Sequence, residues 1–407
     1  MTTRPFLLAV VVVIAGCSGS TQTSPAAGGF APADLAQSSS SLWNVVSSPN
    51  IQESDGLYDD ELTAVGGSSP NDVWAVGYDC CYANGTQEYD HPLSMHWNGS
   101  AWSIVPGAKN APADTTLEAV SALSPNDAWA VGKAPYPNNQ AVFEHWNGKQ
   151  WMAVASPHIA NNAEMLSVVM ISKNNVWAAG DGNFSAVLEH WNGHTWSFVP
   201  AYNKGVTVLN CIAAAAPNDI WAVGEDLNTG VAMFTEHFDG KKWTYFPGAG
   251  RFFSATFQGV TVLSPTDAWA VGYESTQNGQ PPQTLVQHWN GSTWSVATSP
   301  NRDPKGSPIL TNTLNSVAAR SAKDITAVGL WTWYPGSGTT RSLFEHYDGK
   351  KWSVEDGPAQ LESSNNATAN ELLGVTAIVG GGLWAVGNGT NPPTCCAQTL
   401  TAEASGN

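Results

Sequence analysis

The chain is poor in charge, and in positive charge above all. Only 12% of its 407 residues are Asp, Glu, Lys or Arg, and 16 Lys and Arg face 33 Asp and Glu. A formal charge of −17 repels a phosphate backbone, so nucleic acid is excluded as a natural partner. Long apolar runs are scarce as well. The run from Phe6 to Ile14 is too short to cross a bilayer as a helix, and no later segment is apolar enough to be one. Also missing are a nucleophile elbow, a phosphate-binding glycine loop and a zinc-protease motif, which removes those enzyme classes. What is abundant is Gly (39), Pro (25) and Trp (19), a composition suited to many short strands and turns.

The first residues address the chain to a compartment. Arg4 supplies a positive start, the apolar run follows, and it ends in Ile14-Ala15-Gly16-Cys17. That ending resembles the bacterial lipobox, which implies cleavage after residue 16 and lipid on Cys17. A plain signal peptide with a chance cysteine is the alternative. The expected location is therefore extracytoplasmic, with the membrane reached through the lipid alone. Residues 17–41 are almost entirely Ser, Thr, Ala, Gly, Pro and Gln, with Asp34 their single charge. Such a stretch buries too little apolar surface to offset its ordering entropy, and it reads as a tether.

From residue 42 onward the sequence repeats. One copy runs Leu117-Glu118-Ala119-Val120, Ser124-Pro125-Asn126-Asp127, Trp129-Ala130-Val131-Gly132, Glu144-His145-Trp146-Asn147-Gly148, then Trp151. The Trp-Ala-Val-Gly element recurs at Trp74, Trp129, Trp177, Trp221, Trp269, a degenerate Thr326 and Trp384, with spacings of 44 to 58 residues. That is the length of a four-stranded propeller blade. Pro, Asn and Asp supply turn chemistry after the first strand, and Asn-Gly or Asp-Gly makes the hairpin into the last.

Strand counting shows how the ring closes. Seven tryptophans open outer strands: Trp43, Trp102, Trp151, Trp196, Trp243, Trp294 and Trp352. Trp43 precedes the first inner strand, and the chain stops before a last outer one. The strand from Leu42 to Val46 should therefore complete blade seven, leaving no open edge. The expected fold is all-β: residues 42–407 form one seven-bladed β-propeller of four-stranded antiparallel blades, a monomer.

The order of turn, apolar strand ending in Gly, strand, short turn and Trp resembles the kelch-type repeat, also found in the galactose oxidase core. The repeat here carries one Gly (Gly77, Gly132, Gly272) where kelch repeats carry two. The resemblance implies a fold, because propellers host unrelated functions. Neither the copper site of galactose oxidase nor the arginine triad and Asp-boxes of sialidases has a match, and no cofactor is expected.

Candidate residues are those the repeat does not absorb. Six histidines and five aspartates recur once per blade; spread around a ring, they cannot converge on one metal, and they read as structural pairs and turn caps. Seventeen of the nineteen tryptophans occupy repeat positions. Trp331 and Trp333, followed by Tyr334, do not, and they fit either packing under a long loop or an exposed aromatic platform. Near the equivalent loop of blade one lie Tyr78, Asp79, Tyr82, Glu88, Tyr89, Asp90 and His91. Rings stack on sugar C–H faces and carboxylates accept hydroxyl hydrogen bonds. These residues therefore point to a carbohydrate-binding module on the face built by second-to-third-strand loops. A docking scaffold for an envelope protein and a carbohydrate-active enzyme are the alternatives. Cys80-Cys81 and Cys395-Cys396 lie in loops that closure makes neighbours. An oxidising compartment favours disulfides, cross-loop or vicinal, over a four-thiolate zinc site.

Overall fold

The computed structural model describes residues 42–51, 60–83, 86–112, 114–134, 140–155, 162–183, 185–202, 207–227, 232–277, 279–303, 310–333, 339–362, 369–378, 381–390 and 397–405. For 80–83, 86–89, 232, 310, 333, 339, 359 and 362 it describes the backbone alone. The strands pair into seven four-stranded antiparallel sheets, the blades of a β-propeller. Blade one comprises Asp60–Ser69, Asp72–Ala83, Thr86–Trp97 and Trp102–Ile104, and blades two to six repeat that order. Blade seven takes Asn370–Ala377, Leu383–Thr390 and Ala397–Ala404 from the end of the chain and Trp43–Val46 from its beginning.

The closing strand lies antiparallel to the last one, with Trp43 opposite Ala404 and Val46 opposite Thr401. Side chains lock the same register. The Thr401 hydroxyl donates to the Val46 carbonyl at 2.7 Å, and Asn50 accepts the Thr399 N–H at 2.7 Å.

Two repeat positions follow from close backbone approach near the axis. Every inner strand carries a bulge after its Leu-type residue, as between Leu62 and Ala64, and the Gly of the Trp-Ala-Val-Gly element sits opposite it. A Cβ at Gly77 would run into the Glu61 carbonyl oxygen, and one at Gly329 into that of Thr313. The small third position of the inner strand abuts the next blade: a Cβ at Gly374 would lie 3.0 Å from Ala64 Cα. Where the small residue has a polar atom, it accepts the neighbour's N–H. Ser167 Oγ takes Ile212 N–H at 3.0 Å, Ser316 Oγ takes Val375 N–H at 3.1 Å, and Cys211 Sγ takes Val260 N–H at 3.3 Å.

The repeated histidines and aspartates pair within each blade. His96–Asp72, His145–Asp127, His237–Asp219, His288–Asp267 and His346–Asp324 are 2.8–3.2 Å apart, and His190 meets Asn175 Oδ1 at 2.9 Å. The aspartates thus tie the first hairpin to the third strand, a longer-range role than turn capping. Six hairpin glycines (Gly99, Gly148, Gly193, Gly240, Gly291 and Gly349) adopt φ of +86° to +96°, the left-handed conformation that a tight hairpin requires.

Candidate functional site

Six of the seven seams between blades are built alike. The Trp of Trp-Ala-Val-Gly lies 4.7–5.6 Å, centroid to centroid, from two rings of the following blade. One ends that blade's third strand and the other opens its outer strand. Five of these indoles also lie 4.3–4.7 Å from the histidine of their own blade. Burying one indole removes roughly 150–250 Å² from water, about 4–6 kcal/mol gross.

The seam between blades six and seven breaks the pattern at several positions together. Thr326 stands where the others place Trp, Ala404 where they place Trp, Phe or Tyr, and Glu403 where they place His. Glu355 ends the outer strand of blade six, where the other blades carry Val, Phe or Ala. Arg320 occupies an inner-strand position that is Ser, Leu, Ile or Ala in blades one to five.

Loss of the aromatic filling leaves a pocket of about 240 Å³. Thr326, Leu383, Ala404 and Trp43 supply its buried wall. Its polar wall is a chain of charged groups. Arg320 Nε lies 2.8 Å from Asp324 Oδ2, Asp324 Oδ1 lies 3.2 Å from His346 Nε2, and His346 Nδ1 lies 3.4 Å from Glu355 Oε1. Burial raises the Glu355 carboxyl above its ordinary value, and Asp324 adds to that; His346, Arg320 and a hydrogen bond from the Trp43 side chain oppose it. Lys323 and Asp348 stand at the exposed rim.

The pocket opens at the ends of the first and third hairpins of each blade. The face expected from the sequence, that of the second-to-third-strand loops, is the opposite one. Of the residues selected there, Trp331 is a correction: it is 8% exposed and belongs to a buried hydrophobic cluster that includes Val271, Leu314 and Leu343. Its strand simply runs four residues past Gly329, where the repeat would end it, to Trp333. Trp331 is therefore packing, not platform.

Tyr78 is half-buried, and burial together with Glu61 and Glu118 pushes its hydroxyl up. Asp79 is buried, and the Asp90 N–H donates to Asp114 Oδ1 at 2.9 Å. Asp79 and Asp90 lie in adjacent strands of blade one. The side chains of Trp333, Tyr82, Tyr89, Cys80 and Cys81 lie outside the described residues. So do Tyr334, Cys395, Cys396 and Cys17, and with them the expected disulfides and lipid anchor. Among the described residues no group of three or more His, Cys, Asp or Glu is placed to hold a metal, and no helix is long and apolar enough to cross a membrane.

No family model matches the chain, and no curated protein matches it. Solved structures do. The chain is similar to "YCF48 bound to D1 peptide", with a TM-score of 0.56 at 10% identity over 92% of this chain and all of that one. It is similar to "YCF48 from Cyanidioschyzon merolae", with a TM-score of 0.52 at 14% identity over 89% of this chain and 98% of that one. A third likeness, "Structure of U3-55K", has a TM-score of 0.52 at 9% identity with the same coverage. At such identities the shared property is the propeller fold.

Proposed function

We propose that this protein is a lipid-anchored, extracytoplasmic binding module that takes its ligand in the pocket between blades six and seven. One observation carries the reading: of seven equivalent seams, six are closed by three packed rings, and the seventh has lost two of the three and gained Arg320 and Glu355 beside the repeated Asp324–His346 pair. Filling that seam with Trp would stabilise the ring, as it does six times over. Polar groups at the same place serve recognition instead. The pocket also abuts Leu42 and Trp43, where the expected tether enters the propeller, so a captured ligand is held close to the anchor.

Both partner classes expected from sequence fit a pocket of this kind. The carboxylates, guanidinium and imidazole bind the hydroxyls of a glycan or the backbone of a protein segment. The glycan reading draws on Asp324, Glu355, Arg320 and His346, having lost the support of Trp331.

The test uses the full-length protein and its Thr326→Trp variant against a glycan array and a displayed random-peptide library. Binders should be selected by the native protein, and the variant should lose them at least tenfold while melting no lower than the native protein. Selected binders that hold the variant equally well would place the site elsewhere and refute the reading.

A further inference from the structure

The geometry points to a single occupant for the seam pocket: an aromatic side chain of a partner polypeptide, inserted where blade six lacks its own tryptophan. This rests on the reading of the seam as a binding site and names what enters it. The argument is a comparison of equivalent seams. At the seam of blades two and three, Trp196 is flanked by Phe143 at 4.6 Å and Trp129 at 5.0 Å, and Trp129 lies 4.7 Å from His145. At the seam of blades six and seven, Trp43 keeps the first of these neighbours, Phe344 at 5.0 Å. The second is replaced by Thr326, which sits opposite His346 in the strand register. Both rings that sandwich an indole elsewhere are thus present, without the indole.

The space is adequate. A cavity of roughly 150 Å³ lined by apolar side chains already admits benzene, and this one measures about 240 Å³. Ala404, in place of a ring, widens the slot from the blade-seven side. The wall chemistry favours a ring with a polar edge. Glu355 and Asp324 offer carboxylate oxygens to an indole N–H or a phenol O–H, whereas in the other seams the residue matching Glu355 is apolar. Trp or Tyr is therefore preferred over Phe. A polypeptide is preferred over a glycan because the position left open is the one an indole fills in the other six seams.

The probes are N-acetyl-tryptophanamide, N-acetyl-phenylalaninamide and N-acetylglucosamine, read by saturation-transfer NMR and by the imidazole resonances of His346 in the full-length protein. The tryptophan probe should saturate, shift the His346 signals and bind more tightly than the phenylalanine probe. Thr326→Trp should weaken it at least tenfold. Ala404→Leu, which narrows the slot from the other blade, should weaken it as well and covers the case in which the first variant misfolds. The inference falls if the tryptophan probe does not saturate, if both variants bind it as the native protein does, or if N-acetylglucosamine takes the site in its place. The two claims separate cleanly. Ring binding blocked by Thr326→Trp, with selected peptides and glycans unaffected by it, keeps the ring site and removes the proposed function. Selected glycans lost with Thr326→Trp and no ring binding do the reverse.

Discussion

Replacing Glu345 by Gln should stabilise the propeller at pH 8 and leave it almost unchanged at pH 5. Glu345 belongs to a row of third-strand residues that clamp the preceding blade-to-blade connection. The Ala108 N–H donates to Glu144 at 3.1 Å, the Tyr202 N–H to Glu236 at 2.8 Å, and the Ser299 hydroxyl to Glu345 at 2.7 Å. The second carboxyl oxygen of each is buried without a hydrogen-bond partner. Burial accordingly raises Glu144 and Glu236 to about 7 and Glu345 to about 8, against the opposing hydrogen bonds. Blade five shows the neutral solution. There Gln287 both accepts the Ala249 N–H and donates to the Ala249 carbonyl, each at 2.7 Å. A protonated glutamic acid can do what that amide does; a carboxylate cannot donate.

The sign follows from which state holds the proton. Below about pH 4.5 these carboxyls are neutral in the folded and the unfolded chain alike. Between there and the raised folded values, the unfolded chain has released protons that the folded one retains, so stability falls as pH rises. Above the folded values the loss is complete. Glu345, raised from 4.5 to about 8, loses on the order of 4 kcal/mol of stability by pH 8. For a propeller of about 360 residues the unfolding entropy is roughly 0.8 kcal/mol/K, so Glu345→Gln should raise the melting temperature by about 5 °C at pH 8. Calorimetry at pH 5, 6.5 and 8 measures this, with the native protein expected to melt progressively lower along the series. An equal shift at every pH, or a variant less stable at pH 8, would refute the argument.

Deleting residues 42–49 should destabilise the whole propeller, since it removes buried Trp43 from its contact with Phe344 and opens two sheet edges. Loss of the indole alone costs about 3–5 kcal/mol, and a truncated chain melting at the native temperature would dismiss the closing role. Non-reducing peptide mapping should find Cys80-Cys81 and Cys395-Cys396 oxidised within the chain. A linked peptide pair identifies a cross-loop latch between blades seven and one, separate oxidised peptides identify vicinal bonds, and free thiols at both pairs reject the disulfides.

The propeller was legible in the sequence because its repeat is a packing rule written seven times. Trp at one seam requires a ring at the next, and Gly77 and its equivalents are demanded by a bulge at a fixed offset from them. Even the closing strand could be counted from Trp43. Side-chain burial in the long second-strand extensions was not legible. Trp331 breaks the repeat, which leaves packing and an exposed platform equally open, and it continues a strand that buries it. Off-repeat position and exposure are different properties, and periodicity reports only the first.

The seam pocket was half-written in the sequence. Thr326 was visible as the one degenerate member of the Trp-Ala-Val-Gly series, but a single missing indole in a ring of seven reads as drift. What makes it a site is coincidence in space. Ala404 and Trp43 lie at opposite ends of the chain and meet across the closing strand, and Glu355 and Arg320 approach from blade six. Had one residue drifted, larger apolar neighbours in the seam would have stabilised the ring by burying more surface in the space it left. Instead the neighbour across the seam is smaller and two flanking residues are charged. A slot with matched polar walls, at the seam where the two ends of the chain meet, is better explained by a guest ring than by relaxed packing.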